Sequence, residues 1–273
     1  MKSRNLRAED WRDLLRLAGE CRELGDDPIG WRRHLIEALC GLTDAHLGFA
    51  GEMEGCRTLQ HKDLGMVPWM RSGTVGPERI GAAVEDFRGD STHVPAMLDY
   101  FRRDPIPEGT CLGCPEVFDD RSWYASDDYR VVFEPCGFDQ TLWCFRPILG
   151  AGHDQNTGIV LVRAKGGRPF ESRLLFLVRE AHAAIAPMIG GPLARFADPS
   201  PMHLPQRARP VLACLLEGDG DKQIAARLGL SVHTVNEYTK AIYRHFGVRS
   251  RPELLARWIR RGWTSSSFES RPM

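Results

Sequence analysis

The feature that most constrains this chain is the stretch from Asp221 to Ser250, DKQIAARLGLSVHTVNEYTKAIYRHFGVRS, where two amphipathic helical patterns meet at a glycine. Ile224, Ala225 and Leu228 fall on one face of a short helix, and Lys222, Gln223 and Arg227 are left toward solvent. Asp221 is expected to cap that helix. Gly229 is expected to end it, because the residue past a helix end commonly needs positive φ. Ser231 then opens a second helix. Val235, Tyr238, Ile242 and Phe246 recur there at three- and four-residue spacing, the signature of a core-facing stripe. The opposite face carries Thr234, Asn236, Glu237, Lys240 and Arg244. These side chains suit a helix laid in a DNA major groove, where amides and ammonium groups reach base edges and hydroxyls and guanidinium groups hold phosphates.

With LPQRARPVLACLLEGDG before it and RPELLARWIRRG after it, the stretch resembles the LuxR-type DNA-binding domain. The matching positions are Leu204, Val211, Leu212, Ile224, Ala225, Leu228, Ser231, Thr234, Val235, Ile242, Gly247, Val248, Ser250 and Leu254. The resemblance implies an all-α four-helix helix-turn-helix module and double-stranded DNA as partner. It also implies that Asn236, Glu237 and Lys240 face base edges, while Lys222, Ser231, Thr234, Arg244 and Arg249 lie along the backbone. The chain departs from the family in its first helix, with Ala208 where an acidic residue is usual. Pro210 sits where that helix should be under way, so its start is expected close to Pro210. Asn236 and Tyr238 stand where the family often has lysine and histidine, so no base preference is carried over.

A chain of 273 residues exceeds a single domain of about 100–200 residues. Charge divides it: residues 204–263 hold 11 Lys and Arg against 5 Asp and Glu, whereas residues 1–203 hold 24 against 30. The zero total thus conceals a basic module, as phosphate neutralisation requires, joined to an acidic one. The expected organisation is a sensor or dimerisation domain over 1–189, a linker over 190–203, the DNA-binding domain over 204–263 and a flexible tail over 264–273. GGPLARFADPSPMH supplies the linker composition. No h-region of a signal peptide and no membrane span is present, so a cytoplasmic location is expected. The eight cysteines are accordingly expected as thiols.

In the acidic part, residues 9–24 and a segment opened by Asp27-Pro28 read as helices, HLGFAGEM as a strand, and residues 57–67 as its partner. Pro77 to Arg103 reads as helical, followed by a long Pro- and Gly-rich loop. Then come a helix near Arg121, a turn at Pro135–Gly137, strands from Gln140 to Ile148 and over 157–166, and a long apolar-striped helix after Arg168-Pro169-Phe170. This order resembles GAF- and PAS-like sensor domains. The fold class is therefore α+β, an antiparallel sheet flanked by helices followed by the all-α module.

Trp123, Tyr124, Tyr129, Phe133 and Trp143, with Phe138, are candidates for a small-molecule pocket or for plain core. Cys111-Leu112-Gly113-Cys114 has zinc-knuckle spacing that Cys136, Cys144 and His153 would have to complete; a redox pair and ordinary loop thiols are the other readings. There is no nucleophile elbow and no glycine-rich phosphate loop, so neither an enzyme nor a cofactor is expected. The helices over 171–188 and 252–260 carry apolar residues that would serve a homodimer, with Leu177 and Val178 as its expected contacts. Two alternatives remain for the acidic domain: a dimerisation or docking unit without ligand, and a thiol redox protein using Cys111 and Cys114.

Overall fold

The computed structural model describes residues 6–55, 62–72, 109–150 and 155–263. The helix expected over 77–103 lies outside them. Two compact units are formed, one from Met1–Ala18 with Arg32–Pro187, the other from Gly19–Trp31 with Met188–Met273.

The first unit is built on a five-stranded sheet of order β2-β1-β5-β4-β3, every neighbouring pair antiparallel. Its strands are β1 (Leu47–Glu54), β2 (Lys62–Met70), β3 (Thr110–Gly113), β4 (Phe138–Pro147) and β5 (Gln155–Ala164). Pro68 stands on β2, an edge strand among the described residues, the kind of strand in which proline is tolerated. The fold therefore contains a strand, β3, in the segment read as loop. Four residues between prolines and glycines carry no alternation of their own, and β3 exists through pairing Thr110–Gly113 with Phe145–Leu142 of β4.

Helices α1 (Ala8–Glu23) and α2 (Gly30–Thr43) precede the sheet, and α5 (Ser172–Ile185) follows it. α2 packs directly on β1: a Cβ at Gly48 would sit 2.5 Å from Ile36 and 2.8 Å from the Cys40 sulfur, so only glycine permits this approach. Arg32 of α2 and Glu52 of β1 form an ion pair buried between helix and sheet. Asp10 of α1 accepts a 2.6 Å hydrogen bond from Arg173 of α5 and another from the Arg7 N–H. Leu174, Leu177, Val178, Ala181 and Ile185 of α5 are buried, and the helix packs on β3 and β4. The expectation that Leu177 and Val178 mediate a dimer is thereby corrected, since their side chains are committed to the unit's own core. Between β3 and β4 the chain forms short helices α3 (Cys114–Val117) and α4 (Asp120–Ala125) and a π-helical turn (Asp128–Phe133).

The second unit holds α6 (Arg209–Glu217), α7 (Asp221–Leu228), α8 (Val232–Phe246) and α9 (Arg251–Arg261). α6 begins with Pro210 in its first turn, where the absent N–H costs nothing. α7 is capped by Gly220, one residue before the expected Asp221. The Gln223 side chain accepts the Gly220 N–H at 2.7 Å, and Asp221 instead places a carboxylate in the first turn against the helix dipole. Gly229 ends α7 at φ 65°. Val211, Leu212, Leu215, Ile224, Val235, Ile242, Phe246, Leu254 and Trp258 form the core.

The segment over 190–203, expected as a linker, is packed into this unit. Leu193, Ala194 and Ser200 are fully buried. The indole N–H groups of Trp31 and Trp263 donate to the Ala194 and Pro192 carbonyls at 3.0 Å each. Asp198 accepts two bonds from the Arg261 guanidinium, at 2.7 and 3.1 Å. His245 Nε2 lies 2.9 Å from the Ser200 carbonyl oxygen.

Candidate nucleic-acid interface and sensor core

α8 is fixed by its buried stripe, Val235, Ile242 and Phe246, with Tyr238 packed at the edge. Its start is set by Ser231, whose hydroxyl accepts the Thr234 N–H at 3.0 Å and lies 2.8 Å from the Thr234 hydroxyl. Both hydroxyls are thus held at the first turn, where N–H groups point outward and favour an anion. On the outer face Asn236 is half-buried, while Glu237, Lys240 and Arg244 are exposed. Asn236, Lys240 and Arg244 recur every four residues and form one stripe. The Lys240 ammonium donates to the Glu237 carboxylate at 2.9 Å. That hydrogen bond, with the Lys240 charge and lesser help from His233 and Arg244, holds the Glu237 carboxyl below its ordinary range.

Lys222 is exposed on α7, and Arg249 is exposed in the turn between α8 and α9, its backbone N–H donating to Glu253 at 2.8 Å. Arg227, nearby in sequence, is different: it is paired with Glu217 and Asp219. Net charge alone does not separate Arg227, paired within the fold, from Lys222 and Arg249, for whose side chains no ion pair is seen among the described residues.

In the first unit, four of the five candidate pocket residues come together. The Trp123 ring meets Tyr129, Phe133 and Trp143 at centroid distances of 5.8, 5.1 and 6.2 Å, and stacks on Phe118 at 5.5 Å. Tyr124 is 41% exposed and stands at the margin, touching Tyr129 edge-on and donating its hydroxyl proton to Asp139 at 3.0 Å. Phe138 belongs to a separate cluster with Leu47, Cys136 and Val162. A bulge between Phe138 and Thr141 shifts the register of β4, so strand alternation could not assign that ring. Among the described residues, the buried Trp123 Nε1 and Thr141 Oγ1 have no hydrogen-bond partner. Buried polar atoms are rarely left so.

Cys111 and Cys114 do not pair. Cys114 is buried in the aromatic cluster, whereas Cys111 stands directly opposite Cys144 of β4 in the sheet register. His182 of α5 contacts Cys144, its Nδ1 3.3 Å from the Cys144 sulfur. Sequence reading missed Cys144 with His182, because the two are 38 residues apart and no local spacing joins them. Among the described residues no group of three or more His, Cys, Asp or Glu is placed to hold a metal ion, and His153 lies outside them. No helix among the described residues is long and apolar enough to cross a membrane.

Residues 202–257 match the family model described as "Bacterial regulatory proteins, luxR family". They form a LuxR-family helix-turn-helix domain, borne on a mixed α/β chain. No curated protein matches the chain. Among solved structures, the chain is similar to Escherichia coli SdiA at 15% identity, covering 93% of this chain and 97% of that one with a TM-score of 0.37. It is also similar to SdiA in complex with octanoyl-rac-glycerol, at 15% identity, 92% and 93% coverage and a TM-score of 0.38. A phage VqmA–DPO complex matches at 21% identity over 49% of this chain and 51% of that one, with a TM-score of 0.22.

Proposed function

We propose that this protein is a transcriptional regulator that binds duplex DNA through α8 and is controlled by a cue received in its α/β unit. The observation that carries the reading is the outer face of α8. Asn236, Glu237 and Lys240 stand there as base readers, in a domain matching the luxR family model, on a helix anchored by Val235, Ile242 and Phe246. Lys222, Ser231, Thr234, Arg244 and Arg249 surround that face and hold phosphates. The test is a set of binding titrations on matched and mismatched duplexes at several salt concentrations. Sequence-dependent affinity with a steep salt slope is expected; equal, salt-insensitive binding to all duplexes refutes it.

The α/β unit acts as a GAF- or PAS-like sensor in a cytoplasmic regulator. The antiparallel sheet flanked by helices supports this, and so does Trp123 Nε1, buried without a partner among the described residues, which suits a polar group of a small ligand among Trp123, Tyr129, Phe133 and Trp143, with Tyr124 at the rim. The working form is a homodimer. Ile259, 77% exposed on α9, supports pairing through the last helix. A second reading, in which the α/β unit only dimerises, draws on Trp11 and Leu15, two exposed apolar residues one turn apart on α1.

A further inference from the structure

Cys111, Cys144 and His182 form a cluster that DNA binding does not use. Directly opposed residues in an antiparallel pair have Cα atoms about 4.5–5.5 Å apart, inside the span of about 4.4–6.8 Å that a disulfide bridges. Cys111 and Cys144 are such a pair in the β3–β4 register. Cys144 is fully buried, whereas Cys111 is half-buried on β3, at one end of the strand order among the described residues, so that a small oxidant would come to the pair past Cys111. On the other side His182 is itself fully buried, with Nδ1 on the Cys144 sulfur and Nε2 without a partner among the described residues.

We propose that Cys144 and Cys111 are a peroxide-reactive thiol pair that closes into a β3–β4 disulfide, with His182 as the positioning residue for the attacking sulfur. Burial opposes the Cys144 thiolate, yet the hydrogen bond from Cys111, the His182 imidazole and the Arg146 charge outweigh it and bring the thiol well below its ordinary pKa. Cys111 is pushed the other way, by burial and by the neighbouring Cys144, so that it keeps its proton and serves as the resolving thiol. In the first step the Cys144 thiolate attacks one oxygen of hydrogen peroxide. The O–O bond breaks, the departing hydroxide takes a proton from solvent, and Cys144 becomes a sulfenic acid. In the second step the Cys111 sulfur attacks the Cys144 sulfur, the S–O bond breaks, and the hydroxide leaves as water with the Cys111 proton. Two electrons pass from the two sulfurs to peroxide, and two waters form. The product ties β3 covalently to β4 and removes the anion facing His182 on α5.

The experiment treats the full chain with a few equivalents of hydrogen peroxide, quenches it, blocks remaining thiols under denaturing conditions and maps peptides without reduction. A Cys111–Cys144 disulfide, reversed by dithiothreitol, is expected as the first linkage formed. Cys111→Ser should instead leave a Cys144 sulfenic acid that a dimedone probe traps, and His182→Ala should slow disulfide formation about tenfold or more at neutral pH as the thiolate fraction falls. The wild-type map decides even where a variant fails to fold. Cys111 and Cys144 both recovered as alkylated thiols while other cysteines oxidise, or Cys111 found linked to Cys114, would overturn the proposal.

Discussion

Glu237 and Lys240, three residues apart on the exposed face of α8, are joined by a 2.9 Å hydrogen bond from ammonium to carboxylate. In the free protein the central cation of the face is therefore partly neutralised by its neighbour. On the proposed reading of α8, a base edge that accepts from Lys240 is met only when that pair loosens. Glu237→Gln should raise affinity for non-cognate duplexes several-fold and steepen the salt slope by roughly one unit, because one more cation becomes available to displace counterions. Titrations in two salt concentrations check this; an unchanged slope would show that Glu237 does not hold the Lys240 charge back from DNA.

Asn236→Ala and Lys222→Ala should separate readout from anchoring. An asparagine bonds adenine bidentately, so Asn236→Ala should cost about 1–3 kcal/mol on the preferred site and relax the preference at one base position. Lys222→Ala should weaken every sequence alike and reduce the salt slope by roughly one unit. Equal losses on all duplexes for Asn236→Ala would remove it from the readers.

The proposed homodimer distinguishes two helices that both carry apolar stripes in the sequence. Leu177→Glu should destabilise the protein by several kcal/mol, because an unpaired carboxylate would enter a closed core, and should not yield a folded monomer. Ile259→Glu should leave the far-ultraviolet circular dichroism intact and shift sedimentation toward monomer. A folded Leu177→Glu monomer would reverse the assignment.

The strap over residues 190–203 should give the second unit an acid-sensitive contact. Burial raises the Asp198 pKa, but the two bonds from Arg261, the Arg195 N–H and the charges of both arginines outweigh it and hold the carboxyl below its ordinary value. A depressed folded pKa contributes stability that is fully present above the unfolded value and lost as pH falls through the folded one. Thermal melts should therefore show this contribution intact at neutral pH and fading below about pH 4. Asp198→Asn should lower stability by about 2 kcal/mol at pH 7 and flatten that acid limb. An acid limb unchanged by the substitution would rule the contact out.

Much of the second unit was legible in order along the chain, because its signals are local. Pro210, Gly229 and Ser231 each mark a helix end through the conformation of a single residue, and the stripe through Val235, Ile242 and Phe246 needs only helical periodicity. The cap of α7 lies at Gly220 and not at Asp221, although both residues are acceptable caps in sequence. Only the side chain of Gln223, folding back on Gly220, chooses between them.

What the sequence determined by itself, then, is everything that neighbours within a helical turn or a strand can enforce: the elements from α6 to α9, the strands with strong apolar runs, the separation of basic from acidic residues, and the face of α8. The tertiary structure alone decided which apolar stripes are consumed. It buried Leu177 and Val178 and left Ile259 outside, although all three lie on amphipathic helices. It made a strand of Thr110–Gly113 by offering β4 as a partner, and so set Cys111 opposite Cys144 rather than beside Cys114, with His182 on Cys144. It also converted a proline- and glycine-rich strap into packed structure through Trp31, Trp263 and Arg261. The physical reason is common to these cases: burial, cross-strand register and side-chain pairing depend on residues far apart in the chain, and their energies exist only once the fold has brought them together.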